Sequence, residues 1–364
     1  MPPATLFRYI GGRMIVSVTA LFLILAAFVL VADLIENLRF ISKFNKGDFG
    51  SALQLTFLRA PALTQTLAPF VFLFGSIWMF SQLNRRAEIA VMRAAGLSVW
   101  RLIGPAALVA ALGGLLLITV IDPLSSSLRG ASEKLMDSLR GRSSSLVQVF
   151  GDGIWLRQRD ADNVLLINAR GFDPRNAGLS KVTMWRLDRD SAFLERIDAP
   201  EAFLSGRTIE LHNARIKGAN DQLDHRTPIY AVPTSLTPDD LRERVDSAET
   251  MSIWQLPQFI LLAEAAGLPT TRYNLRFHDL CSTPLKLIGM VLIAAFFSLK
   301  PMRLGGAFQL FLSAVGAGFL LYVLTELATA LGESGTVPEA LAAWTPAIVA
   351  TLAAVTALLQ YEES

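Results

Sequence analysis

The chain has 364 residues, enough for two or three soluble domains, but it is 52% hydrophobic and only 18% charged, which excludes that reading. Of the 64 charged residues, 38 fall between Pro123 and Thr271, so a mean hydropathy of +0.43 is averaged over apolar ends and one polar insert. A net charge of +2 gives no sign of a nucleic-acid binder, and the single cysteine, Cys281, excludes an intrachain disulfide.

In chain order, the first charge-free run long enough to cross about 30 Å of hydrocarbon is Met14–Ala32. It exceeds the apolar core of a signal peptide and lacks a small-x-small site before Asp33, so it is expected to remain as a helix. Ala60–Leu83 and Leu102–Ile121 follow as the second and third spans. The insert then begins with a helical pattern at Ser132–Arg142. Short apolar runs succeed it at Leu146–Phe150, Gly153–Arg157, Val164–Asn168, Lys181–Leu187, Ala192–Ile197 and Thr208–Leu211, separated by Gly, Asp, Asn and Pro. They predict six to ten antiparallel strands, a sandwich or jelly roll, with a second helix at Ile253–Ala266. Leu287–Leu299 reaches membrane length only if extended back to about Asn274, which draws Asp279 and Lys286 into the membrane zone. Leu304–Thr325 and Ala340–Tyr361 complete six spans. The expected fold is a membrane α-helical bundle of six transmembrane helices with an inserted all-β jelly-roll domain, divided as 1–122, 123–271 and 272–364.

Basic residues in short loops set the orientation. Arg8 and Arg13, the group Arg85, Arg86, Arg93 and Arg101, and Lys300 with Arg303 share one side, which places both termini in the cytoplasm and the insert outside. The first outer loop is contrary, with Arg39, Lys43, Lys46 and Arg59.

No enzyme site is evident. There is no P-loop, no His-Glu-x-x-His, and the three histidines (His212, His225, His278) are scattered. His278 reads as an interfacial histidine before it reads as a proton relay with Asp279, and Ser143–Ser145 as a linker. The informative stretch is the cytoplasmic loop 84–98, a short amphipathic helix with Ile89 and Met92 near one face and Arg86 and Arg93 elsewhere. Gly96 suits its C-terminus and Ser98 the N-cap of the next span. Glu88 is a carboxylate among Arg85, Arg86 and Arg93, which a specific partner would explain. A helix lying across the membrane surface suits force transmission from a cytoplasmic partner, or equally a connector with none.

Glu-x-x-Val-Met-x-Ala-x-Gly-Leu-Ser at Glu88–Ser98 resembles the coupling segment of the LptF/LptG (YjgP/YjgQ) permeases. Arg8-Tyr9-Ile10-Gly11, Pro61, Pro69-Phe70, Asp162-Asn163 and Pro301-Met302-Arg303 match as well, and Gly153-Ile154-Trp155 and Arg272-Tyr273-Asn274-Leu275 resemble the LptG branch. The likeness implies a bacterial inner-membrane protein: the permease of an ATP-binding-cassette complex that lifts lipopolysaccharide from the membrane toward a periplasmic bridge. It implies an LptB-like ATPase dimer that binds ATP and Mg, a paralogous LptF, and LptC-like and LptA-like proteins, with no cofactor in this chain. Glu88 would be the contact to the ATPase, with Arg86, Met92 and Arg93 beside it. Arg39 would meet the lipid's phosphates, with Lys43 and Lys46 nearby. The first and fifth spans would form the lipid gate. Lys286 would either line the lipid cavity or pair with Asp279 one face along the same helix. Phe28, Phe72, Phe311 and Phe319 would offer apolar wall to acyl chains or simply pack. An ATPase-coupled mechanotransmitter and a membrane-anchored binding protein are the alternatives.

Overall fold

The structure is a computed structural model and describes residues 3–44, 48–140, 146–150, 153–159, 163–173, 178–188, 192–206, 208–218, 224–234, 250–265, 270–299 and 307–363. The chain divides into two compact units. One comprises Met1–Arg39, Ala52–Arg129 and Asn274–Ser364, the other Phe40–Ser51 and Gly130–Tyr273.

The first unit is helical, because a backbone in hydrocarbon must satisfy its own polar groups. Its chain-order elements are α1 (Pro3–Phe44), α2 (Phe49–Arg85), the short α3 (Glu88–Ala94) and α4 (Val99–Leu116). A π-helical turn, Leu117–Ile121, joins α4 directly to α5 (Asp122–Arg140). After the second unit, which also contains α6 (Leu256–Ala265), come α7 (Thr271–Leu299), α8 (Ala307–Glu333) and α9 (Glu339–Glu363). Six helices are long and apolar enough to cross a membrane. The short run Leu287–Leu299 does extend backward, to Thr271, a little beyond the expected Asn274. The expected helix at Ser132 begins earlier, as the direct continuation of the third span through the π turn.

Burial ranks these helices. Half of the apolar window of α2 and of α7 is buried, against 6% for α1 and 17% for the fifth span, α8. The core is accordingly built on α2, α4 and α7, through Leu73, Phe80, Ile103, Leu287 and Val291. Close approach is needed at Gly114, where a Cβ would lie 2.5 Å from Pro284 Cα of α7. Proline inside the spans (Pro61, Pro69, Pro105, Pro284, Pro346) is tolerated because neighbouring helices and hydroxyls re-satisfy the freed groups. Of the glycines in and just before α8, Gly318 meets Leu73 of α2, Gly316 has open space beside it, and Gly305 and Gly306 lie outside the described residues.

At the start of α2, Asp48 Oδ1 accepts from the Ser51 amide at 3.0 Å and its hydroxyl at 2.9 Å, a side-chain cap on a free helix end. These bonds hold the Asp48 carboxyl below its ordinary range.

The second unit is a single seven-stranded antiparallel sheet, β1 (Leu146–Phe150), β2 (Gly153–Arg159), β3 (Asn163–Asp173), β4 (Gly178–Asp188), β5 (Phe193–Ser205), β6 (Thr208–Gly218) and β7 (Asp224–Pro233), paired in sequence order. The β prediction therefore stands, with a seventh strand added. The arrangement is an up-and-down meander, and the Greek-key crossings of a jelly roll are not found among the described residues. One face buries Ile167, Val182, Met184, Ile197, Leu211 and Val232. Trp155 and Trp185 stack nearly parallel, 5.4 Å apart.

One row of this sheet is interrupted from β3, where pairing skips Arg170, through the next four strands. Pairing skips Lys181 on β4, Pro200 on β5, Asn213 on β6 and Pro228 on β7 while the register on either side is kept. Two prolines supply no ladder N–H, and Lys181 and Asn213 take left-handed backbone at φ 51° and 53°.

Candidate functional site

The loop between the second and third spans forms the helix its sequence predicts. Ile89 is 4% exposed and anchors α3 in the bundle core, with Met92 and Leu97 packed beside it, while Arg86, Val91 and Arg93 face outward. Gly96 has φ +80°, its N–H donates to the Arg93 carbonyl at 2.9 Å, and the Leu97 N–H donates to the Met92 carbonyl at 3.2 Å. This is the two-bond Schellman ending, which only glycine enters without strain. Gly96→Ala has room for its methyl group but not the backbone angle. It should destabilise the loop by about 1 kcal/mol, read as faster proteolysis or amide exchange at 92–98 with the spans unchanged. Ser98 does sit at the N-cap of α4, but its side chain makes no cap bond. The Val99 N–H donates instead to Glu362 Oε1 at 3.3 Å, so the last helix caps the third span.

Glu88 is held by α1, a contact that the sequence did not disclose. Tyr9 donates its hydroxyl to Glu88 Oε2 at 2.7 Å, and Arg13 Nη2 lies 3.6 Å from Glu88 Oε1. The Arg13 guanidinium also sits 4.8 Å from the centre of the Tyr9 ring. Its neighbours in the loop, Arg85 and Arg93, make neither of these contacts. Both charged side chains keep 26% of their surface open, so the carboxylate still presents itself to solvent.

At the other end of α1, Asp33 and Asn37 are buried. Asn37 Nδ2 donates to Asp33 Oδ2 at 2.8 Å and to Thr56 Oγ1 at 3.0 Å, and Arg59 Nη1 lies 3.3 Å from Asp33 Oδ1. Arg59, one of the basic residues of that stretch, is thereby matched by Asp33; Arg39 and Lys43, further along α1, are exposed. Lys46 lies outside the described residues.

Within the bundle a cavity of about 260 Å³ is lined by Gln65, Arg276, Asp279, Lys286, Tyr322 and Glu326 among others. Asp122, fully buried at the end of the π turn, accepts from Arg276 Nη2 at 3.0 Å and Gln65 Nε2 at 3.4 Å. Lys286 pairs with Asp279, two turns away on the same helix. Lys286 thus both lines the cavity and makes the ion pair. Asp279 and Glu326 balance Arg276 and Lys286 in its lining, so the cavity offers no excess positive charge to a phosphate. Arg276 Nε is buried without a partner among the described residues.

The four phenylalanines separate. Phe28 and Phe319 are 75% and 58% exposed and open to whatever lies beside α1 and α8. Phe72 differs from the expected lipid-facing wall: it is 7% exposed, in the core, filling the space beside Gly113. Phe311 belongs to α8, and its side chain lies outside the described residues. The described residues hold no cluster of His, Cys, Asp and Glu suited to a metal.

Six membrane-length helices, a β unit inserted after the third, and a short helix pinned to the bundle point to a multi-pass membrane protein. The model of the family described as lipopolysaccharide export system permease LptF/LptG matches residues 8–360, and the chain belongs to that family. It is 24% identical over 341 residues to the lipopolysaccharide export system permease protein LptG of Haemophilus influenzae, covering 92% of this chain and 91% of the relative. To the protein of that name from Escherichia coli K12 it is 22% identical over 334 residues, 90% of each.

Proposed function

We propose that this chain is the LptG-type permease of an ATP-driven complex that extracts lipopolysaccharide from the inner membrane and delivers it to a periplasmic bridge. Both termini and α3 face the cytoplasm, and the sheet lies in the periplasm as a jelly-roll-like receiver for acyl chains. An LptB-like ATPase dimer binds α3 from below, an LptF-like paralogue completes the cavity, and LptC-like and LptA-like proteins continue the sheet. ATP and Mg belong to the ATPase. Lipid enters beside α1 and α8, the first and fifth spans, whose flanks are the most exposed of the bundle.

The observation that carries this reading is the mounting of α3. Ile89 fixes it to the core and Glu88 fixes it to α1, so a push on Arg86, Met92 and Arg93 from a cytoplasmic partner moves a gate helix. Co-expression with an ATPase and a second permease tests it. A stable complex that releases lipopolysaccharide from proteoliposomes only with ATP is expected. A complex that hydrolyses ATP without releasing lipid would favour a mechanotransmitter, and a chain that recruits no ATPase would refute the reading.

On the outer side, Arg39 is the proposed phosphate contact, with Lys43 in the last turn of α1 and Lys46 beyond it. Arginine meets a phosphate through two parallel N–H bonds, lysine as a point charge. A charge-assisted contact of roughly 1.5–3 kcal/mol changes affinity about tenfold or more. Arg39→Glu should lower lipopolysaccharide photo-crosslinking by that factor and Arg39→Lys much less. Equal crosslinking in both variants would leave Arg39 an interfacial anchor.

A further inference from the structure

The cytoplasmic halves of α1 and α2 leave a groove of about 540 Å³ between them. The helices are pinned on its inner side, where Ser76 Oγ meets Met14 Sδ at 3.6 Å and a Cβ on Gly75 would lie 3.0 Å from Val18. On the outer side they splay. Val16, Ala20, Leu21, Ile24, Trp78 and Met79 line the groove's apolar length. Trp78 is 55% and Val16 68% exposed, so this lining is open, and Gly12 adds no side chain to fill it.

One end of the groove is cationic. Arg8, Arg13 and Arg86 border it together with Tyr9 and Gln82. Arg13 is committed to Glu88, whereas Arg8 and Arg86 are exposed and make no ion pair among the described residues. From Arg8 to Ile24 the helix rises about 24 Å, which covers one leaflet's ~15 Å of hydrocarbon with its headgroup layer. Orientation alone asks for basic residues on this side, but Arg85 and Arg101 satisfy that rule without lining this groove. Two unmatched guanidinium groups at the mouth of an apolar slot of leaflet length fit an amphiphile with an anionic head.

We propose that this groove is a binding site for an anionic phospholipid of the cytoplasmic leaflet, its phosphate between Arg8 and Arg86 and one acyl chain along Val16, Ala20 and Ile24. The site depends on the permease reading only for which leaflet is meant. A bound lipid there fills the space between α1 and α2 beside the Tyr9–Arg13–Glu88 contact, and so steadies α1 where the coupling helix grips it.

The test uses the complex with its co-expressed subunits in nanodiscs of equal phosphatidylglycerol and phosphatidylethanolamine, with retained lipids counted by native mass spectrometry. Phosphatidylglycerol should be retained in preference, and the double variant Arg8→Gln/Arg86→Gln should lose that preference by about tenfold. Ala20→Trp, which fills the apolar slot and leaves both arginines, should reduce retention of both lipids. No preference in the native complex, or an unchanged preference in the arginine variant, overturns the proposal. Retention indifferent to Ala20→Trp would mean generic surface attraction and also overturns it. If Ala20→Trp releases a protein subunit instead, a partner helix covers the groove and no lipid site exists. Lipid retention needs neither ATP nor lipopolysaccharide, so this result and that of the export assay fail independently.

Discussion

Glu88→Ala should uncouple ATP hydrolysis from lipopolysaccharide release, lowering export roughly tenfold while the six helices still assemble. Two contacts are lost at once, the Tyr9 hydroxyl at 2.7 Å and the Arg13 guanidinium at 3.6 Å. A hydrogen bond to a charged group contributes about 1.5–3 kcal/mol, and partial exposure discounts the ion pair toward the lower figure. The bundle itself is secured elsewhere, by Ile89 and the core around Phe80 and Leu83, so folding should survive. Tyr9→Phe separates the two roles of Glu88. It removes the donor on α1, keeps the ring under Arg13, and leaves the carboxylate free for an ATPase. If force passes from α3 to α1 through this contact, Tyr9→Phe should lower export about threefold with ATPase binding intact. Normal export in Tyr9→Phe with a defective Glu88→Ala would confine Glu88 to the ATPase side. Normal export in both would sink the coupling role.

The largest effect on stability is expected at Arg276→Met. Asp122 is fully buried and would lose its charged partner, while the Gln65 contact at 3.4 Å remains. Removing one member of a buried pair costs about 3–5 kcal/mol in soluble proteins. The lower end is expected here, because a chain unfolded in detergent or membrane finds other partners. Detergent-titration unfolding should show that loss, and Asp122→Leu combined with Arg276→Met should recover most of it. A double variant no better than the single would mean that Arg276 stabilises through packing and not through charge.

What the sequence disclosed and what it hid follow from range. Charge-free runs of about 20 residues are local and admit one reading, so all six spans were legible, including the one that had to take in Asp279 and Lys286. Gly96 was legible because a left-handed helix ending has a one-residue signature. The partners of Glu88 and Asp122 lie 79 and 154 residues away, and no local pattern encodes such distances. Strand β7 escaped because Asp224–Pro233 mixes His, Arg, Thr and two prolines with few apolar residues, and its place is set by pairing with β6. The jelly-roll expectation rested on counting strands, and strand counts carry no information about connection order. Phe72 stayed open between lipid wall and packing for a similar reason: an aromatic in a span looks the same from sequence whether it faces lipid or, as here, the gap beside Gly113.

The interrupted row through Lys181, Pro200, Asn213 and Pro228 has a consequence for how the sheet opens. Amide deuteration reports the rupture of individual ladder bonds, and cooperative units exchange together. A ladder severed along one line across β4–β7 should behave as two blocks, 182–188 with 193–199 on one side and 201–205 with 208–212 on the other. Amides bordering the line should exchange first, at rates close to those of the strand ends, while the Met184–Ile197 and Leu211–Tyr230 pairs hold longest. A sheet so divided can change the angle between its halves without losing a bond inside either. One uniform exchange rate across the row would show that the four residues bend the ladder without dividing it.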